Sequence, residues 1–95
     1  MDNKIFKILL VDDEPDILEI LSYPLKNENF QVYTASNGLE AIKLVKDIQP
    51  HLIILDVMMP EMDGIEACEI IRKDPKTNNT LITFLSARGE DYSKI

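Results

Sequence analysis

The sequence has a single cysteine, no long apolar run and no cluster of basic residues. Because Cys68 has no second cysteine to pair with, no disulfide can form within the chain, which is consistent with a reducing, cytoplasmic setting. No apolar run exceeds five residues, whereas a helix needs about 20 apolar residues to cross a bilayer. The N-terminus has neither the apolar segment nor the cleavage site of an export signal. We therefore expect a cytoplasmic protein that does not enter a membrane.

The charge balance is acidic, with 17 Asp and Glu residues against 10 Lys and Arg residues and a net charge of −7. The basic residues are scattered, so no stretch offers the positive surface that a phosphate backbone requires. We therefore expect that the chain itself does not bind nucleic acid. It also has no P-loop and no GxSxG motif. The one histidine, His51, precedes an apolar strand, where a structural or solvated role is favoured over a catalytic one.

Short apolar segments alternate with segments of helical spacing along the whole chain, which indicates one domain, residues 1–95. The runs at 8–11, 52–55 and 81–85 do not alternate with polar residues, as is typical of strands covered on both faces in a parallel sheet. A weaker, alternating run at 31–34 indicates an edge strand. Strands that alternate with helices in this way predict an α/β fold: a doubly wound parallel sheet with right-handed crossovers.

Three helices are predicted between these strands. The first begins at Pro15, which suits a first helical turn, whereas Pro24 is expected to kink this helix or end it early. The second covers about residues 38–49, and the third about residues 64–74. A further helix is predicted to begin after Ala87.

Acidic and hydroxyl side chains stand at the carboxyl ends of the predicted strands. Asp12 and Asp13 follow the first strand, Asp56 closes the third, and Ser86 follows the fourth. Ligands of open parallel sheets bind at this edge, so we expect these side chains to converge. Three carboxylates held together repel one another, and a hard cation such as Mg²⁺ removes that penalty. Asp12 or Asp13 alone could instead cap the helix at Pro15, but three acids on one rim favour the cation site.

A carboxylate fixed beside Mg²⁺ can act as a nucleophile toward phosphorus and form an aspartyl phosphate. Asp56 is the candidate for this role, and the hydroxyl of Ser86 can donate to a phosphoryl oxygen. Catalysis at such a site consists mostly of positioning and charge neutralisation.

Three segments of the sequence together resemble the receiver domain of two-component response regulators. They are residues 8–14, residues 55–64, which match a D-x-x-M-P-x-x-D-G signature, and residues 85–88, in that family's order. The resemblance implies a flavodoxin-like fold and a signalling domain, not an enzyme. It implies that Asp56 accepts a phosphoryl group from a sensor histidine kinase or a phosphotransfer protein. Gly64 is expected to take a positive φ in a sharp turn before the third helix.

The resemblance also implies a role for each residue of the site. Asp13 and Asp56 would bind Mg²⁺ through their side chains, and Met58 would bind it through its backbone carbonyl. Asp12 would act through a water molecule. Ser86 would be the switch hydroxyl that moves toward the phosphoryl group.

The sequence departs from the family's pattern at its end. Receivers of this family have a fifth strand, whose lysine contacts the phosphoryl group, and a fifth helix, whereas this chain stops within the presumed fourth helix. Neither Lys76 nor Lys94 follows a strand, so neither matches that lysine. We therefore expect an incomplete sheet in which apolar side chains of the first and third strands lose cover. The chain is therefore expected either to form homo-oligomers through the exposed edge of the fourth strand or to be a fragment whose remainder completes the fold.

Two other functions are compatible with parts of the sequence. A phosphatase or phosphotransferase with an aspartyl nucleophile would place it after the first strand in a D-x-D arrangement, whereas Asp12 and Asp13 are adjacent. The chain is also too short for a substrate-binding cap domain. A receiver-like interaction module that keeps the fold without phosphorylation stays open as the second alternative, because the family's lysine has no counterpart in the chain.

Overall fold

The computed structural model describes residues 5–85, which form a four-stranded parallel sheet and three helices. The elements are β1 (Lys7–Val11), α1 (Pro15–Asn27), β2 (Gln31–Ala35), α2 (Gly38–Ile48), β3 (Leu52–Asp56), α3 (Gly64–Lys73) and β4 (Leu81–Leu85). The strand order is β2-β1-β3-β4, and every neighbouring pair is parallel. The predicted flavodoxin-like, doubly wound fold is therefore confirmed. The helix predicted after Ala87 lies outside the described residues.

The central strand β1 is covered on both faces. Successive side chains of a strand point to opposite faces, and Ile8, Leu9, Leu10 and Val11 are all at most 2% exposed. The loss of cover expected for this strand is therefore wrong, because α1 packs over β1 and β2 on one face. In β3, Leu52 and Ile54 are only half-buried.

The main core lies between the sheet and the helices α2 and α3. It contains Leu9, Val11, Ala35, Ala41, Val45, Ile53, Leu55, Met59, Ala67 and Ile71. Ala41 of α2 and Ala67 of α3 are fully buried in this core together with Ile53 and Leu55 of β3. The other helix, α1, has no fully buried residue.

The strand β4 is more exposed than its apolar sequence predicts. Leu81 is 64% exposed and Phe84 is 44% exposed, so the prediction that both faces of this strand are covered is wrong. Among the described residues β4 pairs only with β3 and lies at the edge of the sheet, which agrees with the expectation of an exposed edge.

Of the two outcomes expected at Pro24, a kink or an early helix end, the early end is wrong. The helix α1 continues to Asn27, with Pro24 inside it. Proline lacks the N–H that would donate to the residue four positions earlier, but the ladder resumes beyond it, because the Glu28 N–H lies 3.2 Å from the Pro24 carbonyl oxygen. Pro24 is exposed, so the missing bond faces water, where it costs least.

His51 lies at the amino end of the sheet, opposite the carboxyl ends of the strands. The backbone N–H of Lys7 donates to His51 Nδ1 over 2.9 Å, and the Phe6 ring stacks on the imidazole with centroids 4.7 Å apart. These contacts agree with a structural role. No helix within residues 5–85 is both long and apolar enough to cross a membrane.

Candidate functional site

Three carboxylates meet at the carboxyl end of the sheet. One oxygen each from Asp12, Asp13 and Asp56 lies within 4.8 Å of the others. The cause is the strand register: Val11 of β1 pairs with Leu55 of β3, so the residues that follow, Asp12 and Asp56, leave the sheet side by side. Asp12 is 2% exposed and Asp56 is 1% exposed, which is rare for acidic side chains unless they bind a partner. The predicted convergence of the three acids is therefore present.

Neither Asp12 nor Asp13 caps the first helix. Glu14 occupies the N-cap position of α1, and its side chain makes no capping hydrogen bond. The Glu14 N–H instead donates to Asp12 Oδ1 over 2.9 Å, so the Asp12 carboxylate closes a tight turn and is held in place by it. The capping alternative is thereby contradicted.

The donor set fits a divalent cation that prefers oxygen ligands. Oδ1 of Asp13 is buried, and no hydrogen-bond donor from the part of the chain that the structure describes reaches it. A buried anionic oxygen without a donor is costly. A bound Mg²⁺ would satisfy this oxygen and offset the repulsion among the three carboxylates. The cluster can therefore hold a metal ion.

The loop after β3 also makes a hydrogen bond to the Asp56 side chain. The Met58 N–H donates to Asp56 Oδ1 over 3.2 Å, which restricts the rotation of the carboxylate. Met58 is thus adjacent to the site through its backbone, while its side chain is 46% exposed. The use of its carbonyl as a ligand stays a prediction. Ser86 and Lys94 lie outside the described residues, so the predicted switch hydroxyl also stays a prediction.

Gly64 is required for a reason other than the one expected. Its φ is not in the left-handed region, so the predicted positive φ is wrong. A Cβ at this position would instead overlap the carbonyl oxygen of Asp56 and lie 3.0 Å from the Cα of Val57. The start of α3 therefore lies directly against the backbone at the carboxyl end of β3, and only a residue without a side chain permits this approach.

Gly64→Ala is expected to destabilise the protein by about 1–3 kcal/mol, the usual cost of forcing extra atoms into a packed region. Gly38→Ala is the matched control, because Gly38 is likewise the first residue of its helix, α2. The three nearest atoms that a Cβ there would meet all belong to the Met62 side chain and none to the backbone, with Sδ at 2.9 Å, Cγ at 3.0 Å and Cβ at 3.1 Å. A smaller loss than for Gly64→Ala is therefore expected, because a side chain moves more easily than a strand backbone. Urea denaturation measures both, and equal losses would contradict the role of the Asp56 contact.

One feature of this loop was not predicted from the sequence. Glu61 has a φ of 70°, which is uncommon for a residue with a side chain. The usual signal for this conformation is Gly or Asn, and a glutamate between Pro60 and Met62 gives none.

Comparison with known proteins gives a consistent result. A sequence model of the response regulator receiver domain matches residues 8–95. The alkaline phosphatase synthesis transcriptional regulatory protein PhoP of Bacillus subtilis is 43% identical over 89 residues, which cover 94% of this chain and 36% of that protein. The transcriptional regulatory protein CpxR homolog of Haemophilus influenzae is 45% identical, over 94% of this chain and 37% of its own length. This chain thus spans little more than a third of these curated relatives.

Solved structures agree with the sequence comparison. The N-terminal domain of a response regulator receiver protein from Methanoculleus marisnigri superposes with a TM-score of 0.86 at 32% identity, covering 94% of this chain and 72% of that one. The chemotaxis protein CheY4 of Vibrio cholerae superposes with a TM-score of 0.86 at 31% identity, covering 96% of this chain and 76% of that one.

Proposed function

Since this chain belongs to the family of response regulator receiver domains, we propose that Asp56 accepts a phosphoryl group in two-component signal transduction. The donor is a phosphohistidine of a sensor histidine kinase or a phosphotransfer protein. The observation that carries the proposal is the cluster of Asp12, Asp13 and Asp56, with oxygens within 4.8 Å of one another at the carboxyl end of the sheet. Receiver domains are signalling domains, and the output here is a changed surface.

The nucleophile is a carboxylate oxygen of Asp56. It forms the new O–P bond while the P–N bond to the donor imidazole breaks, and the nitrogen keeps the electron pair. Burial removes water from the carboxylate, and the Met58 N–H orients it over 3.2 Å, so that little reorganisation is needed at the moment of transfer. Bound Mg²⁺ would supply charge neutralisation at the phosphoryl oxygens.

The remaining residues of the site have supporting roles in this proposal. Asp13 and Asp56 would hold the cation with their side chains, and Met58 would hold it with its backbone carbonyl. Asp12 acts through a water molecule, and the Ser86 hydroxyl donates to a phosphoryl oxygen. The buried Oδ1 of Asp13 supports the first of these assignments.

The partners of the phosphorylated state are proposed from two observations. The relatives PhoP and the CpxR homolog are named as transcriptional regulators, so we propose that the switched surface acts on an effector region and that this acidic domain does not itself contact nucleic acid. The exposed edge strand β4 (Leu81–Leu85) supports self-association, which sedimentation showing only monomers at high concentration would contradict.

The lone Cys68 supports a cytoplasmic location, which a secreted or periplasmic pool of the native protein would contradict.

The proposal is tested with a small-molecule phosphodonor such as acetyl phosphate. The protein is expected to gain the mass of one phosphoryl group in the presence of Mg²⁺ and to gain none when a chelator removes the cation. Intact-mass spectrometry measures the adduct, and circular dichroism confirms that the sample is folded. A folded protein that forms no adduct would favour the interaction-module alternative, and an adduct that forms equally without Mg²⁺ would contradict the cation site.

A further inference from the structure

The loop between β3 and α3, residues 57–63, is closed at its base and anchored in the core. The Gly64 N–H donates to the Val57 carbonyl oxygen over 2.9 Å, which ties the two ends of the loop together. Met59 is only 8% exposed, and the Met62 side chain packs against Gly38. With its ends joined and two side chains anchored, the loop has few backbone torsions left to vary.

The one unfavourable torsion of this loop is at Glu61. Its φ of 70° places it in the left-handed region, and the Met62 N–H donates to the Pro60 carbonyl oxygen over 2.8 Å. A bond between residues two apart, around a centre with positive φ, is the rarer and more strained form of γ-turn. Residues held in such conformations persist only where the surrounding structure imposes them, and they concentrate at functional sites.

The side chain of Glu61 does not account for this conformation. It is exposed and forms no hydrogen bond or ion pair within residues 5–85. The neighbouring Pro60 has its φ fixed by its ring, and Met59 before it is held in the core. The bend required to bring the chain from Met58 back to the start of α3 therefore falls on Glu61.

We propose that Glu61 is a positioning residue whose strained turn fixes the Met58 backbone against the cation site. The proposal rests on the proposed function, specifically on Mg²⁺ binding. Because the loop is closed by the bond between Gly64 and Val57, a change of φ at Glu61 cannot be absorbed outside the loop. Met58 is attached to Asp56 by a 3.2 Å hydrogen bond, so relaxation of the turn displaces the backbone segment that carries both the Asp56 contact and the proposed carbonyl ligand.

The test is a set of substitutions that differ in their tolerance of positive φ. Glu61→Val strongly disfavours it, Glu61→Gly permits it without cost, and Glu61→Gln keeps the conformational preference of glutamate while removing its charge. Isothermal titration of the intact chain with Mg²⁺ alone is expected to give wild-type affinity, within about twofold, for the Gly and Gln variants. For the Val variant it is expected to give an affinity at least about fivefold weaker.

A second measurement detects the strain without the metal. In the absence of Mg²⁺, Glu61→Gly is expected to unfold at a higher temperature than Glu61→Ala, because only glycine takes this φ without contact between Cβ and the backbone. If the two variants unfold at the same temperature, the strained turn is refuted, whether or not the Val variant folds.

The remaining outcomes separate this proposal from the proposed function. If Glu61→Val binds Mg²⁺ as the wild type does, the turn has only a structural role and the positioning role is overturned. If Glu61→Gln weakens binding as much as Glu61→Val, the effect belongs to the carboxylate and the proposal is again overturned. If the wild type itself binds no Mg²⁺, the proposed cation site is contradicted. The positioning role of Glu61 is then contradicted as well, because it depends on that site.

Discussion

Replacement of Asp56 by Asn is expected to abolish the phosphoryl adduct formed with acetyl phosphate and Mg²⁺. The substitution keeps the shape of the side chain, and its carbonyl oxygen can still accept the Met58 N–H, but the amide lacks the negative charge and the nucleophilicity of the carboxylate. The variant is expected to fold, because it removes one of three carboxylates that lie within 4.8 Å of one another. Intact-mass spectrometry after a fixed incubation is the measurement.

The matched control for this variant is Asp63→Asn. Asp63 belongs to the same loop, but its carboxylate caps α3 by accepting the Glu66 N–H over 2.8 Å, and asparagine caps a helix equally well. The Asp63→Asn protein is therefore expected to be phosphorylated to the same extent as the wild type. An adduct that persists in Asp56→Asn would show that another side chain is the acceptor, and the assignment of Asp56 would be abandoned.

Asp13→Asn is expected to weaken Mg²⁺ binding by at least about tenfold. Two unit charges about 4 Å apart attract by about 1 kcal/mol even in bulk water, and a dication doubles this, while about 1.4 kcal/mol is a tenfold change in affinity. The same substitution is expected to raise the stability of the metal-free protein, since it relieves repulsion among the carboxylates. Titration calorimetry measures the affinity, and thermal unfolding with and without Mg²⁺ measures both effects on stability.

Asp16→Asn is the control for charge alone. Asp16 is an exposed acid in the first turn of α1, three residues from Asp13, and its removal lowers the net negative charge by the same amount. Its Mg²⁺ affinity is expected to stay within about twofold of the wild type, because exposed charges beyond direct contact are screened by salt. Equal losses in the two variants would mean that the cation responds to the overall charge of the domain and that no specific site exists.

The elements of this fold follow from local sequence where local signals and tertiary packing agree. The apolar run of β1 predicts a covered strand because it lacks alternation, and Pro15 predicts the start of the first helix. Pro24 does not end α1 as its sequence position predicts, because one missing hydrogen bond on an exposed helix face is tolerated. The exposure of β4 depends on which neighbours pair with it, which its own apolar sequence does not specify.

The site is predictable to a similar degree. The position of Asp56 follows from the rule that ligands bind at the carboxyl ends of parallel strands, and the proximity of Asp12 follows once β1 and β3 are neighbours. The close approach of the backbone at Gly64 and the positive φ of Glu61 do not follow from local sequence. Both are set by the closure of the loop between β3 and α3 against the backbone of Asp56, which is a tertiary constraint.

Because of the register between β1 and β3, binding of the proposed cation would indicate that the two strands are correctly paired. Asp12 and Asp56 are neighbours only because Val11 is paired with Leu55. A slip of one residue would turn the side chains of one strand to the opposite face of the sheet, and the cluster would be lost. At the proposed cation site, the stoichiometry of a Mg²⁺ titration would therefore equal the fraction of molecules whose strands β1 and β3 are correctly aligned. Chains with the wrong strand register would bind no Mg²⁺ in that titration, even where their helix content is normal.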